Sequence, residues 1–117
     1  MISEDDESLC VVLCNTPQGD AGVIARALVE RRLAACVSVI PGVTSHYRWE
    51  GVLHADVEST LVIKTRVSRV PEVTSAIREL HPYTLPEVVA MPLLETGHAP
   101  YLAWVRAESR APSETST

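Results

Sequence analysis

Apolar positions along the chain alternate between unbroken runs and helical repeats. Leu9-Cys10-Val11-Val12-Leu13-Cys14 is an unbroken run closed by Asn15-Thr16-Pro17-Gln18-Gly19, and it predicts a strand buried on both faces. Ala21, Ile24, Ala25 and Leu28 then follow at helical spacing, which predicts an amphipathic helix capped by Asp20 and ending near Leu33. From Ala35 to Tyr47 the β-branched residues predict a second strand, bent where Pro41-Gly42 interrupts the ladder. Glu50-Gly51 supplies a hairpin turn, and a third strand returns over Val52 to Thr65, with Leu61-Val62-Ile63 as its buried stretch. Ser68 is placed to cap a second helix carrying Val70, Val73, Ile77 and Leu80, which His81-Pro82 ends. Glu87 to Leu94 reads as a fourth strand, and Tyr101, Leu102, Trp104 and Val105 as a closing helix that starts near Pro100.

The order βαββαβ, followed by a C-terminal helix, is that of the ferredoxin-like α+β fold, an antiparallel sheet with both crossover helices on one face. Strands one, three and four are apolar at consecutive positions, so both sheet faces call for burial while two helices can cover only one. The other face is therefore expected to be buried between subunits. The acidic start and the stretch Ala111 to Thr117 lack periodic apolar residues, so residues 1–7 and 109–117 are expected to be disordered tails around a single domain over 8–108.

Composition narrows the function. At 117 residues and 46% hydrophobic the chain is one domain with a sizeable core. Fifteen acidic residues against ten Lys and Arg leave a formal charge of -5, which repels a phosphate backbone, and no stacking aromatics lie in Leu9 to Cys14 or Leu61 to Thr65. Nucleic acid is not expected as a partner. No apolar run approaches the roughly 20 residues of a membrane span, and no basic leader opens the sequence. Three cysteines, an odd number set in apolar runs, read as reduced thiols and predict a cytoplasmic protein.

Strong enzymatic signatures are missing: there is no Gly-rich phosphate loop, no His-Glu-x-x-His, no nucleophile elbow and no paired-cysteine zinc motif. A non-enzymatic protein is expected. Cys10 and Cys14 lie about 13 Å apart along a strand and cannot share a metal. The topology instead brings Cys14, the hairpin near Trp49, and His81 to one end of the sheet. A thiolate and an imidazole suit copper or zinc, while the plainer alternative makes Cys14 a core residue and His81 a helix end. A nucleophile and base pair is a weaker reading of the same two side chains, because no third orienting group is identifiable. Tyr47, Trp49 and Tyr83 near that end read either as the lining of a ligand cleft or as anchors between subunits. Lys64 and Glu87 stand beside buried strand segments, as an ion pair across the sheet or the subunit boundary, or as ligand contacts. His46, His54 and His98 take no role.

The stretch Arg32-Leu33-Ala34-Ala35-Cys36-Val37-Ser38-Val39-Ile40-Pro41-Gly42-Val43-Thr44-Ser45 with Tyr47-Arg48-Trp49-Glu50-Gly51 resembles the CutA family of divalent-cation tolerance proteins. His81-Pro82-Tyr83, Leu85-Pro86-Glu87 and Tyr101-Leu102-x-Trp104 extend the likeness over about residues 8 to 108. The resemblance implies a ferredoxin-like homotrimer similar to the PII signalling proteins, a link to tolerance of copper and other divalent ions, and metal positions at Cys14 and His81. Some members carry two consecutive histidines before the Pro-Tyr, where this chain has Leu80. The expected function is therefore a cytosolic, non-enzymatic homotrimer that binds copper or another divalent cation in a response to metal ions. The alternative is a PII-like regulatory or scaffolding trimer that takes a small molecule or a partner protein in clefts between subunits.

Overall fold

The computed structural model describes residues 7–111, so the expectations for residues 1–6 and 112–117 lie outside the described residues. The elements run β1 (Leu9–Pro17), α1 (Gln18–Glu30), β2 (Cys36–Trp49), β3 (Val52–Arg66), a 3-10 turn (Val67–Arg69), α2 (Val70–Leu80), β4 (Val89–Pro92) and α3 (Ala99–Glu108). The sheet order is β2-β3-β1-β4 with every pairing antiparallel, which is the ferredoxin-like arrangement.

Register explains which residues share a face. Cys10, Val12 and Cys14 of β1 stand opposite Thr65, Ile63 and Leu61 of β3, and this set packs under Ile24 and Leu28 of α1 and Val73 and Ile77 of α2. The alternate positions Val11, Leu13 and Asn15, opposite Lys64, Val62 and Thr60, point to the other face. There α3 covers only the end where β1 begins, through Leu102 and Val105 against Leu9 and Ala35. The rest of that face keeps apolar residues in water: Ile40, Val89 and Met91 are 48%, 48% and 44% exposed.

Several boundaries differ from the sequence expectations, each for a local reason. β1 does not stop at Cys14, because Asn15, Thr16 and Pro17 continue the ladder against Thr60, Ser59 and Glu58. α1 starts at Gln18 immediately after Pro17, so Asp20 sits inside its first turn instead of capping it. The helix ends at Glu30 and not near Leu33. Arg32 adopts φ 57°, with Leu33 N–H donating to Leu28 O and Arg32 N–H to Val29 O, a left-handed helix stop normally signalled by glycine. Ser68 lies within the 3-10 turn and does not cap α2, whose first turn carries Pro71. β4 is shorter than Glu87 to Leu94, because the carboxylate of Glu87, not its backbone, accepts the Asn15 N–H at 3.1 Å. Near the ends of the described residues, Arg66 donates to Glu7 at 3.0 Å, and Ser109 is fully buried with its hydroxyl on Val105 O.

The bend and the turn of the long hairpin fall where the sequence puts them. The β2–β3 register shifts between Ile40 and Val43, and Gly42 there has φ 73° with its N–H donated to Gln18 Oε1 at 2.8 Å. Glu50 and Gly51 both have positive φ, 50° and 79°, as a two-residue turn matched to strand twist requires.

Candidate functional site

A cleft of about 520 Å³ opens on the sheet face opposite α1 and α2. Its floor is Asn15 of β1, Ser45, Tyr47 and Trp49 of β2, and Glu58 of β3, and its wall is the α2–β4 loop, from Pro82 to Leu85 with Glu87. Strand parity selects these residues. Ser45, Tyr47 and Trp49 alternate along β2, and Glu58 lies two positions from Thr60, which faces Asn15. Asn15 ties the floor together, its amide donating to Ser45 Oγ at 3.3 Å and its side-chain carbonyl accepting from Thr60 Oγ1 at 2.7 Å. Tyr83 reaches over to donate its hydroxyl to Glu58 Oε2 at 2.9 Å, and Tyr47 donates to Asp56 while stacking on His54.

His81 anchors the wall. Its Nε2 lies 2.8 Å from Asn15 O and its Nδ1 accepts the Tyr83 N–H at 3.1 Å. A carbonyl only accepts, so Nε2 carries the proton and Nδ1 the engaged lone pair. Cys14 is fully buried on the helix-covered face, with its Sγ 3.8 Å from the same Asn15 O. Burial, with the negative charges of Glu87 and Glu58 adding to it, pushes its thiol up to about 12. The two side chains are thus brought near one carbonyl, yet neither presents a free donor atom to a metal: one is a hard-to-ionise thiol and the other an imidazole with both nitrogens bonded. Among the described residues no three His, Cys, Asp or Glu side chains stand together as a metal site. The donor set found within one subunit does not fit a copper ion.

The comparisons with known proteins bear on this geometry. The family model of the CutA1 divalent ion tolerance protein matches residues 10–108. The chain belongs to this family. It is 48% identical over 97 residues to the divalent-cation tolerance protein CutA of Thermus thermophilus, covering 82% of this chain and 93% of that one. It is 49% identical over 94 residues to human protein CutA, covering 80% of this chain and 52% of the longer human one. Among solved structures, the PII-like protein CutA of Nostoc superposes with a TM-score of 0.81 at 34% identity, over 86% of this chain and 97% of that one. The Archaeoglobus fulgidus CutA, described as periplasmic, gives 0.82 at 32% identity, over 87% and 99%. Among the described residues no helix is long and apolar enough to cross a membrane.

In this CutA-family chain the cleft unites Tyr47, Trp49, Tyr83 and Glu87 but excludes Lys64. Lys64 faces Val11, four positions along β1 from Asn15 and so about 13 Å away, where its Nζ meets Tyr101 Oη at 3.3 Å under α3. Within one subunit it therefore neither lines the cleft nor pairs with Glu87. Cys14 is likewise absent from the lining, because β1 runs on for three more residues and its parity turns Asn15, not Cys14, toward the cleft. Sequence reasoning missed Asn15, Ser45 and Glu58. The alternation His54, Asp56, Glu58, Thr60 carried the signal for Glu58: a polar face along the outer half of β3.

Burial first, then the hydrogen bond to Glu58 and its charge, push the Tyr83 hydroxyl from 10.0 up to about 12. In the unfolded chain it ionises near 10, so between about pH 10 and 12 the folded state holds a proton that the unfolded state has lost. This contribution is fully present below pH 10 and is lost as pH rises through that window. Because the hydrogen bond to Asp56 also raises Tyr47, ultraviolet titration of tyrosinate is read against Tyr83→Phe. A component ionising near 12 is expected to vanish in that variant and to move toward 10 in Glu58→Gln, and a Tyr83 ionisation near 10 in the parent would refute the assignment.

Proposed function

We propose that this family member works as a PII-like homotrimeric regulatory protein without enzymatic activity, and that the cleft at Asn15, Glu58 and Tyr83 is its ligand site, placed between subunits. The observation that carries the reading is the uncovered apolar face formed by Val11, Leu13, Ile40, Val62, Val89 and Met91, because the cleft opens on that same face. Burying such a face against neighbouring copies stabilises the assembly by roughly 25 cal/mol per Å² of apolar area removed from water. A closed ring buries every copy's face at once, which a single crossover layer of two helices cannot do. Reduced Cys10, Cys14 and Cys36, with no disulfide among them, support a cytosolic location. Sedimentation at low concentration is expected to give the mass of three chains; a compact monomer would overturn the reading.

Copper at Cys14 and His81 is the second reading, favoured by the shared approach of both side chains to Asn15 O. It requires His81 to give up Asn15 or Tyr83 and Cys14 to lose a proton held up to about 12. Calorimetric titration of the reduced protein with Cu(I) and Cu(II) is accordingly expected to show no sub-micromolar site that depends on Cys14. A tight site lost in both Cys14→Ser and His81→Ala would make copper the primary ligand and displace the cleft.

A further inference from the structure

Within one subunit the charge of the cleft is one-sided. Glu58 and Glu87 both line it, and neither Lys, Arg nor His is among the lining residues. Glu58 is only 4% exposed, and Tyr83 gives it a neutral hydroxyl as donor. Among the described residues no ion pair involves Glu58 or Glu87, although six others are formed. A carboxylate buried without a cation is costly and is usually matched by one. The field of the pair is felt nearby: both carboxylates raise the Cys14 thiol, and Glu58 raises Tyr83.

The rest of the lining says what kind of cation would match. Tyr47, Trp49 and Tyr83 present aromatic rings to the cleft, and each is more than a third exposed, so ring surface is available. Aromatic faces attract cations through their negative quadrupole, Trp most strongly, and they favour large, weakly hydrated cations that lose little on leaving water. A small divalent metal is typically held by several charged or imidazole side chains, and among the described residues no three His, Cys, Asp or Glu side chains stand together. The volume of about 520 Å³ also exceeds what a bare ion fills and lies within the range of small-molecule sites.

We propose that the cleft binds a small organic ammonium ion, held by the carboxylates of Glu58 and Glu87 and by the faces of Tyr47, Trp49 and Tyr83. The proposal rests on the reading of this cleft as the ligand site and names its ligand class. Nitrogen at the carboxylate end and alkyl groups against the rings would satisfy both halves of the lining, and an anionic ligand would meet two like charges.

The test is fluorescence titration of the trimer in a Trp104→Phe background, where Trp49 is the single tryptophan. Choline and putrescine serve as probes, with dimethylbutanol as the uncharged isostere of choline and acetate as the anion. Choline or putrescine is expected to change the Trp49 signal saturably and to bind at least about tenfold more tightly than dimethylbutanol. Glu58→Gln and Glu87→Gln, each of which keeps an acceptor for Tyr83 or Asn15, are expected to lower that affinity about tenfold while leaving sedimentation unchanged. Binding of dimethylbutanol or acetate as tight as that of the cations, or binding unchanged in both variants, would overturn the ammonium class while leaving the cleft as a ligand site. No Trp49 response to any probe, with the trimer intact, would overturn both.

Discussion

Met91→Asp is expected to convert the proposed trimer to a monomer. Met91 lies on β4 opposite Val11, next to Val89 opposite Leu13, so its side chain belongs to the apolar face that α3 leaves open. In an isolated subunit it is 44% exposed, and an aspartate there costs the fold little. In the proposed assembly the same carboxylate would be removed from water in all three copies. Burying one unpaired ionised group costs several kcal/mol, enough per copy to offset association at micromolar concentrations. Val23→Asp is the control, since Val23 is 63% exposed on α1, which covers the opposite sheet face. Sedimentation equilibrium should give one chain for Met91→Asp and three for Val23→Asp. A trimer that survives Met91→Asp would place the contact elsewhere.

His81→Ala is expected to lower subunit stability by about 2–4 kcal/mol, because it leaves buried hydrogen-bonding groups without a partner and opens a cavity. His81 is 6% exposed and joins three pieces of chain: the end of α2, where its N–H donates to Ile77 O, the outer part of β1 at Asn15 O, and the cleft wall at the Tyr83 N–H. Alanine keeps only the first. Released from Nδ1, the Pro82–Glu87 loop loses its hold on Tyr83, and the Tyr83–Glu58 bond across the cleft should weaken with it. Urea unfolding at fixed protein concentration measures the loss, and tyrosinate titration shows whether Tyr83 returns toward 10. An unchanged midpoint together with lost copper affinity would identify His81 as a ligand and not a strut.

Both expectations depend on side-chain facts of different legibility. The apolar character of β4 and β1 could be read directly, because consecutive Val, Leu, Ala and Met leave no polar face to turn to water. The double engagement of His81 could not be read, since Asn15 is 66 residues away and meets it only once β1 extends past Cys14. Nothing local to Leu9-Cys14 reports that extension: Asn15, Thr16 and Pro17 are turn formers, and they are held extended by Thr60, Ser59 and Glu58 across the ladder. The early stop of α1 was hidden for a related reason, since Arg32 takes a conformation that glycine usually advertises.

The sequence by itself determined the element order, the ferredoxin-like sheet, the hairpin turn at Glu50-Gly51, the family, and the need to cover a second sheet face, because hydrophobic period and turn chemistry act over a few residues. The tertiary structure decided which face each polar residue occupies. One strand position separates Cys14, sealed beneath α1 and α2, from Asn15, which floors the cleft, and four positions separate Lys64 from Thr60, which faces Asn15. Register between distant strands sets these offsets, and in a pleated sheet a shift of one residue exchanges core for solvent.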